Sequence, residues 1–177
     1  MDKLIKQLCR INDAVAIAAG FLLLACVTIT IIDLIARRLG ASLGGTDEIS
    51  GYVMAIATSW GVSYSLTALS HVRIDLLRAK VSKAGAAIFD AIAMLSLAGT
   101  AIFIAQKSWP VLSKTLGTGA RANTPLETPL WIPQTLWWAG WLWFAVSAVI
   151  LSFAILFYMI KGDFSKVDSI AGVRSEI

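Results

Sequence analysis

Asp33 and Asp90 are the only carboxylates set inside the long apolar stretches of this 177-residue chain. An ionisable group at membrane depth is costly and is by default a candidate for a proton or ion relay. A relay needs several such groups near the midplane, whereas these two stand near the ends of their stretches. Asp33 also precedes Arg37 by four residues, the spacing of an ion pair along one helix face, so structural pairing is the preferred reading. His71 is the only histidine, which excludes paired axial haem ligands within the chain, and no Cys/His cluster has metal spacing. The two cysteines are Cys9, in a basic amino-terminal segment, and Cys26, deep in an apolar run; this separation disfavours a disulfide. No nucleophile elbow and no phosphate loop is present. An enzyme is therefore not expected, nor is a bound cofactor.

A different chemistry, that of close helix contact, is written in residues 49–70. Gly51, Ala55, Ser59, Ser63 and Thr67 recur at i+4, and Ala57, Gly61 and Ser65 form a second row nearby. Small side chains let helix backbones approach, and hydroxyls can hydrogen-bond across the contact. The neighbour is either another span of the same chain or a different subunit. Asp47 and Glu48 open this stretch, where carboxylates interact favourably with a helix dipole, worth roughly 0.3–1 kcal/mol.

The elements that must position these residues are membrane spans. Hydrophobic residues make up 58% of the chain and charged residues 15%, well under the roughly 25% charge of a soluble domain. Four runs are long enough to cross a hydrocarbon core of about 30 Å as helices, at approximately 14–36, 49–70, 84–109 and 136–160. The first exceeds a signal-peptide core of about 7–15 residues and reads as an anchor. Alternating ten-residue strands, the mark of a barrel, are absent. The sequence thus predicts a single all-α integral membrane domain of four transmembrane helices.

The net charge of +4 lies in short clusters between the runs, which is explained without a nucleic-acid partner. Lys3, Lys6, Arg10, Arg73, Arg78, Lys80, Lys83, Lys161, Lys166 and Arg174 fall on one side. Arg37, Arg38, Lys107, Lys114 and Arg121 fall on the other. The positive-inside rule places both termini in the cytoplasm. Trp109, Trp131, Trp137, Trp138 and Trp141 mark the opposite interface, where indoles favour the headgroup level. Between the third and fourth spans, 110–135 carries four prolines with Leu and Trp, and reads as a partly ordered interfacial segment.

Several residues together resemble the small membrane subunit of tripartite ATP-independent periplasmic (TRAP) transporters. Asp47-Glu48 is followed by Tyr52 and by Trp60-Gly61. Ser70-His71-Val72-Arg73-Ile74-Asp75-Leu76-Leu77 is similar to the family's Gly/Ser-His-Val-x-Val-Asp signature. Thr128-Pro129-Leu130-Trp131-Ile132-Pro133 resembles its proline-containing lead into the last helix, with Gly140 after it. The resemblance implies two partners besides the bilayer: a large membrane subunit that moves substrate and sodium in an elevator-like manner, and a soluble periplasmic protein that captures an organic acid. The small subunit would carry neither substrate nor ion site. It would enlarge the fixed scaffold in the bacterial inner membrane and help to dock the periplasmic protein. On that reading Gly51, Ala55, Ser59, Trp60, Gly61, Ser63 and Thr67 serve helix packing or contact with the large subunit. Arg37, Arg38, Asp47, Glu48, Lys114, Arg121 and Glu127 present charges for docking, and His71, Arg73 and Asp75 organise the cytoplasmic turn. The competing expectation is a four-span accessory or assembly subunit of another membrane complex.

Overall fold

The structure, a computed structural model, describes residues 1–41, 43–70 and 81–172. Among these, the chain forms five helices: α1 (Asp2–Arg38), α2 (Thr46–Thr67), α3 (Lys83–Thr118), α4 (Trp131–Ile160) and α5 (Phe164–Ala171). Helices α1, α3 and α4 are long and apolar enough to cross a membrane. Helix α2 has 22 residues, about 33 Å of helix, but its Ser, Thr and Gly dilute the apolar signal.

The helices overrun the apolar stretches wherever no breaker intervenes. Helix α1 starts at Asp2 because residues 2–13 contain neither Gly nor Pro, and it ends ahead of Gly40, whose φ is +80°. Helix α3 starts where Ser82 accepts a hydrogen bond from the Gly85 amide at 3.3 Å, and it stops at Gly119, in the left-handed region. It runs through Pro110, so the interfacial segment expected from 110 is helical as far as Thr118. A proline costs one intrahelical hydrogen bond, to the carbonyl four residues earlier. Nearby, Trp138 crosses from α4 to donate its indole N–H to the Ala105 carbonyl at 3.0 Å, and its ring lies 4.9 Å from that of Trp109. Pro133 sits in the first turn of α4, where backbone amides lack intrahelical partners in any case.

The four long helices lie in a row, α1 beside α2, α2 beside α4 and α4 beside α3, with α5 tucked under the ends of α3 and α4. The core sits mainly between α3 and α4. Ala87, Ala91, Met94, Ala98, Ala101 and Ala105 form one face of α3, facing Phe144, Ala148, Leu151 and Ile155 of α4. The alanines permit a close approach, and Ser152 adds a hydrogen bond to the Met94 carbonyl at 3.3 Å. Helix α1 is the exposed flank, with only Leu8, Asn12 and Asp33 buried along its 37 residues.

Candidate functional site

At the end of the row that carries the α1–α2 and α3–α4 connections, Asp33 is the hub of a polar network. Its carboxylate is 2% exposed and accepts hydrogen bonds from Arg37 Nε at 2.7 Å, Thr46 Oγ1 at 2.6 Å and the Leu43 amide at 2.7 Å. The i,i+4 pairing with Arg37 expected from the sequence is therefore present, but Asp33 also binds the α1–α2 loop to the start of α2. Arg37 Nη2 reaches on to Thr46 Oγ1 at 3.1 Å and to Asp47 Oδ2 at 3.3 Å. The side chain of Asp47 is 86% exposed, so this outer ion pair stays available to solvent and contributes little by itself.

Glu48 makes the second link. It accepts a hydrogen bond from Thr124 of the α3–α4 loop and another from Tyr52 at 2.7 Å, and the Thr124 bond, with the Tyr52 bond second, holds its carboxyl below the usual glutamate range. The loop is itself folded back. Ala122 N–H bonds the Thr128 carbonyl at 2.9 Å, Leu130 N–H bonds the Ala120 carbonyl at 3.1 Å, and Arg121 donates to the Glu127 carbonyl at 3.3 Å. Gly45 completes the seam: its φ is +75°, and a Cβ there would collide with Leu126. One rigid platform thus joins α1, α2 and the α3–α4 loop. Arg38, Asp47, Lys114, Arg121 and Glu127 project from or around it as exposed charges, while Arg37 and Glu48 are tied into it.

The small-residue ladder of α2 divides along its length. Ser59 and Ser63 are fully buried and Thr67 is partly buried, whereas Gly51 and Ala55 are exposed and Gly61 has open space where a side chain would go. At Ser59 the neighbour is α4: a Cβ on Gly140 would lie 2.8 Å from Trp60 Cδ1 and 2.9 Å from the Ser59 carbonyl carbon. Trp60 also donates to the Leu136 carbonyl at 2.9 Å. Lower down the neighbour is α1, where buried Asn12 donates to the Ser63 carbonyl at 3.0 Å and Thr67 Oγ1 at 3.2 Å. Asn12 in turn accepts from Trp143 Nε1 of α4 at 2.8 Å. His71, Arg73 and Asp75 lie outside the described residues. Among the described residues, no group of three His, Cys, Asp or Glu could hold a metal ion.

The family model for the DctQ component of tripartite ATP-independent periplasmic transporters matches residues 26–158. The chain belongs to this family. No curated protein and no solved structure matches it. The chain is thus the small, membrane-embedded type of TRAP transporter component, and a transporter of that kind has further components. The matched stretch contains the whole Asp33–Arg37–Thr46–Asp47 network, the Glu48–Thr124 link and the Ser59–Gly140 contact of this DctQ-family chain. Asn12, which no sequence motif marks, lies ahead of it. The signal that would have found Asn12 is an amide two residues before an uninterrupted apolar run, a place where a buried polar side chain must find partners on other helices.

Proposed function

We propose that this chain is the non-catalytic small permease subunit of a secondary active TRAP transporter in the bacterial inner membrane. It crosses the bilayer four times, with α2 as one of the crossings and both termini in the cytoplasm. It scaffolds a large transport subunit and helps to dock a periplasmic substrate-binding protein for sodium-coupled uptake of an organic acid. The observation that supports this reading best is the rigid platform built on Asp33 and Glu48. It fixes two helices and a loop while leaving Asp47, Arg121 and Glu127 exposed above them. Charges at such a rim steer encounter and register more than they add affinity. The apolar flanks of the row and the exposed upper ladder, Gly51 and Ala55, offer the lipid- and subunit-facing area that a scaffold needs.

Charge reversal at Arg121 tests the docking role. In vesicles carrying the full transporter, Arg121→Glu should slow uptake mainly when the periplasmic protein is limiting, with recovery as its concentration rises. Unchanged uptake at every concentration would remove the basis for docking at this platform. Gly51→Leu should lower co-purification of the large subunit; undiminished yield would discard that contact face. Reporter tags on the two ends check the topology, and opposite compartments would overturn it.

A further inference from the structure

At the other end of the row, a cleft of about 220 Å³ opens between α1, α2, α4 and α5. Its lining combines polar Lys6, Lys166, Thr67 and Ser169 with apolar Ile5, Leu151 and Ile170. We propose that this cleft binds the phosphate of an anionic phospholipid, with its glycerol and first methylenes against the apolar side chains. Asp2 does not oppose an anion there, because its charge is already answered. It pairs with Lys166 Nζ at 3.0 Å and accepts a hydrogen bond from Tyr158. Lys166 also lies 4.9 Å from the Tyr158 ring, so its ammonium is held in place at the rim. Lys6 is exposed, and among the described residues no carboxylate pairs with it. One positive charge, that of Lys6, is therefore left over beside a neutral Lys166–Asp2 pair, whose ammonium can still donate a hydrogen bond.

The depth also suits a headgroup. Exposed Ile11 and Ile17 lie further along α1, whereas Lys3, Lys6 and Arg10 lie towards its start, and α4 gives way to Lys161 after Ile160. The cleft sits where apolar surface turns basic, which is the level of lipid phosphates. The inference rests on the membrane reading of the chain but on neither its orientation nor its partners. Asp2, Lys6, Lys166 and Ile170 all lie outside the stretch, 26–158, matched by the family model.

The test is native mass spectrometry of the full chain in mild detergent, with added phosphatidylglycerol, phosphatidylcholine or inorganic phosphate. Phosphatidylglycerol should be retained several-fold over phosphatidylcholine. Lys6→Gln should lower that retention about fivefold, the worth of one surface lysine, while Lys6→Arg keeps it. Equal retention of the two lipids, or no loss in Lys6→Gln, would overturn the site. Displacement of phosphatidylglycerol by millimolar inorganic phosphate would overturn the lipid assignment in favour of a free anion. Because the chain is assayed alone, a failure of transporter docking leaves this result untouched.

Discussion

Replacing Asn12 by leucine should unlatch the amino-terminal half of α1. Only Leu8, Asn12 and Asp33 are buried along this 37-residue helix, so beyond the contacts of Asp2, Ile5 and Leu8 near its start the amino-terminal half is held across the row chiefly by one amide. Asn12 makes three hydrogen bonds, to the Ser63 carbonyl at 3.0 Å, Thr67 Oγ1 at 3.2 Å and Trp143 Nε1 at 2.8 Å. Side-chain hydrogen bonds between helices in membrane proteins average about 0.6 kcal/mol, so three amount to roughly 2 kcal/mol. Leucine fills a similar volume, which keeps a cavity term out of the comparison, but it leaves the Trp143 N–H without its acceptor. An opening equilibrium shifted by about 2 kcal/mol raises the open population roughly 30-fold. Hydrogen exchange of the purified protein in detergent reads this directly. Amides around residues 9–16 should lose about that factor of protection, while α3 and α4 keep theirs. Protection within about threefold of the parent would refute the argument that the Asn12 hydrogen bonds latch α1 to its neighbours.

Three further outcomes are expected. Gly140→Ala places a methyl 2.8 Å from Trp60 Cδ1 and forces α2 away from α4; a loss of about 1–3 kcal/mol should appear as a lower thermal midpoint, and an unchanged midpoint would mean the helices do not meet there. Gly45→Ala meets both a φ of +75° and Leu126, so destabilisation should be only partly rescued by adding Leu126→Ala, the residue of it belonging to the backbone. Full rescue would dismiss the backbone share, and no rescue would dismiss the contact. Glu48 has its folded-state pKa lowered by the Thr124 and Tyr52 hydrogen bonds. Its contribution is therefore present above the unfolded value of about 4.3 and is lost as pH falls through the lower folded value. The difference in melting midpoint between the parent and Glu48→Gln should be constant near neutrality and shrink below about pH 4; a difference that grows on acidification would contradict the sign.

The long apolar helices were legible from hydropathy, because apolar run length is a direct consequence of bilayer thickness. The Asp33–Arg37 pairing was legible too, being local in sequence. The remaining bonds of Asp33, to Thr46 and the Leu43 amide, were not, since they depend on how a loop folds back. The helices run past the apolar stretches for a related reason. Proline at 110 reads as a stop, yet α3 continues to Thr118 because Leu112 and Thr115 are buried beyond it and repay one lost hydrogen bond. The ladder in α2 was visible as a pattern, but which of its rungs face inward was not. The main seam of the protein, alanines 87, 91, 98, 101 and 105 around Met94 in α3, carries the same i+3/i+4 signal and is easily passed over, as alanine is common in any helix.

A row of helices with an exposed flank is a costly shape in water, where Phe21 and Leu24 at 69% and 63% exposure would be driven to cover. In lipid that drive vanishes, and helices associate through close packing and hydrogen bonds instead. Those are the contacts that hold this row together: alanines between α3 and α4, Gly140 against Ser59 between α4 and α2, and Asn12 and Asp33 at the two ends of α1. Polar side chains thus appear where helices must be joined, while the carboxylates that might have served a relay are placed towards the ends. A transport site would need the reverse arrangement, with broken helices and polar groups facing a cavity near the midplane. Among the described residues the polar contacts join helices to one another, which supports the proposed role of a fixed support.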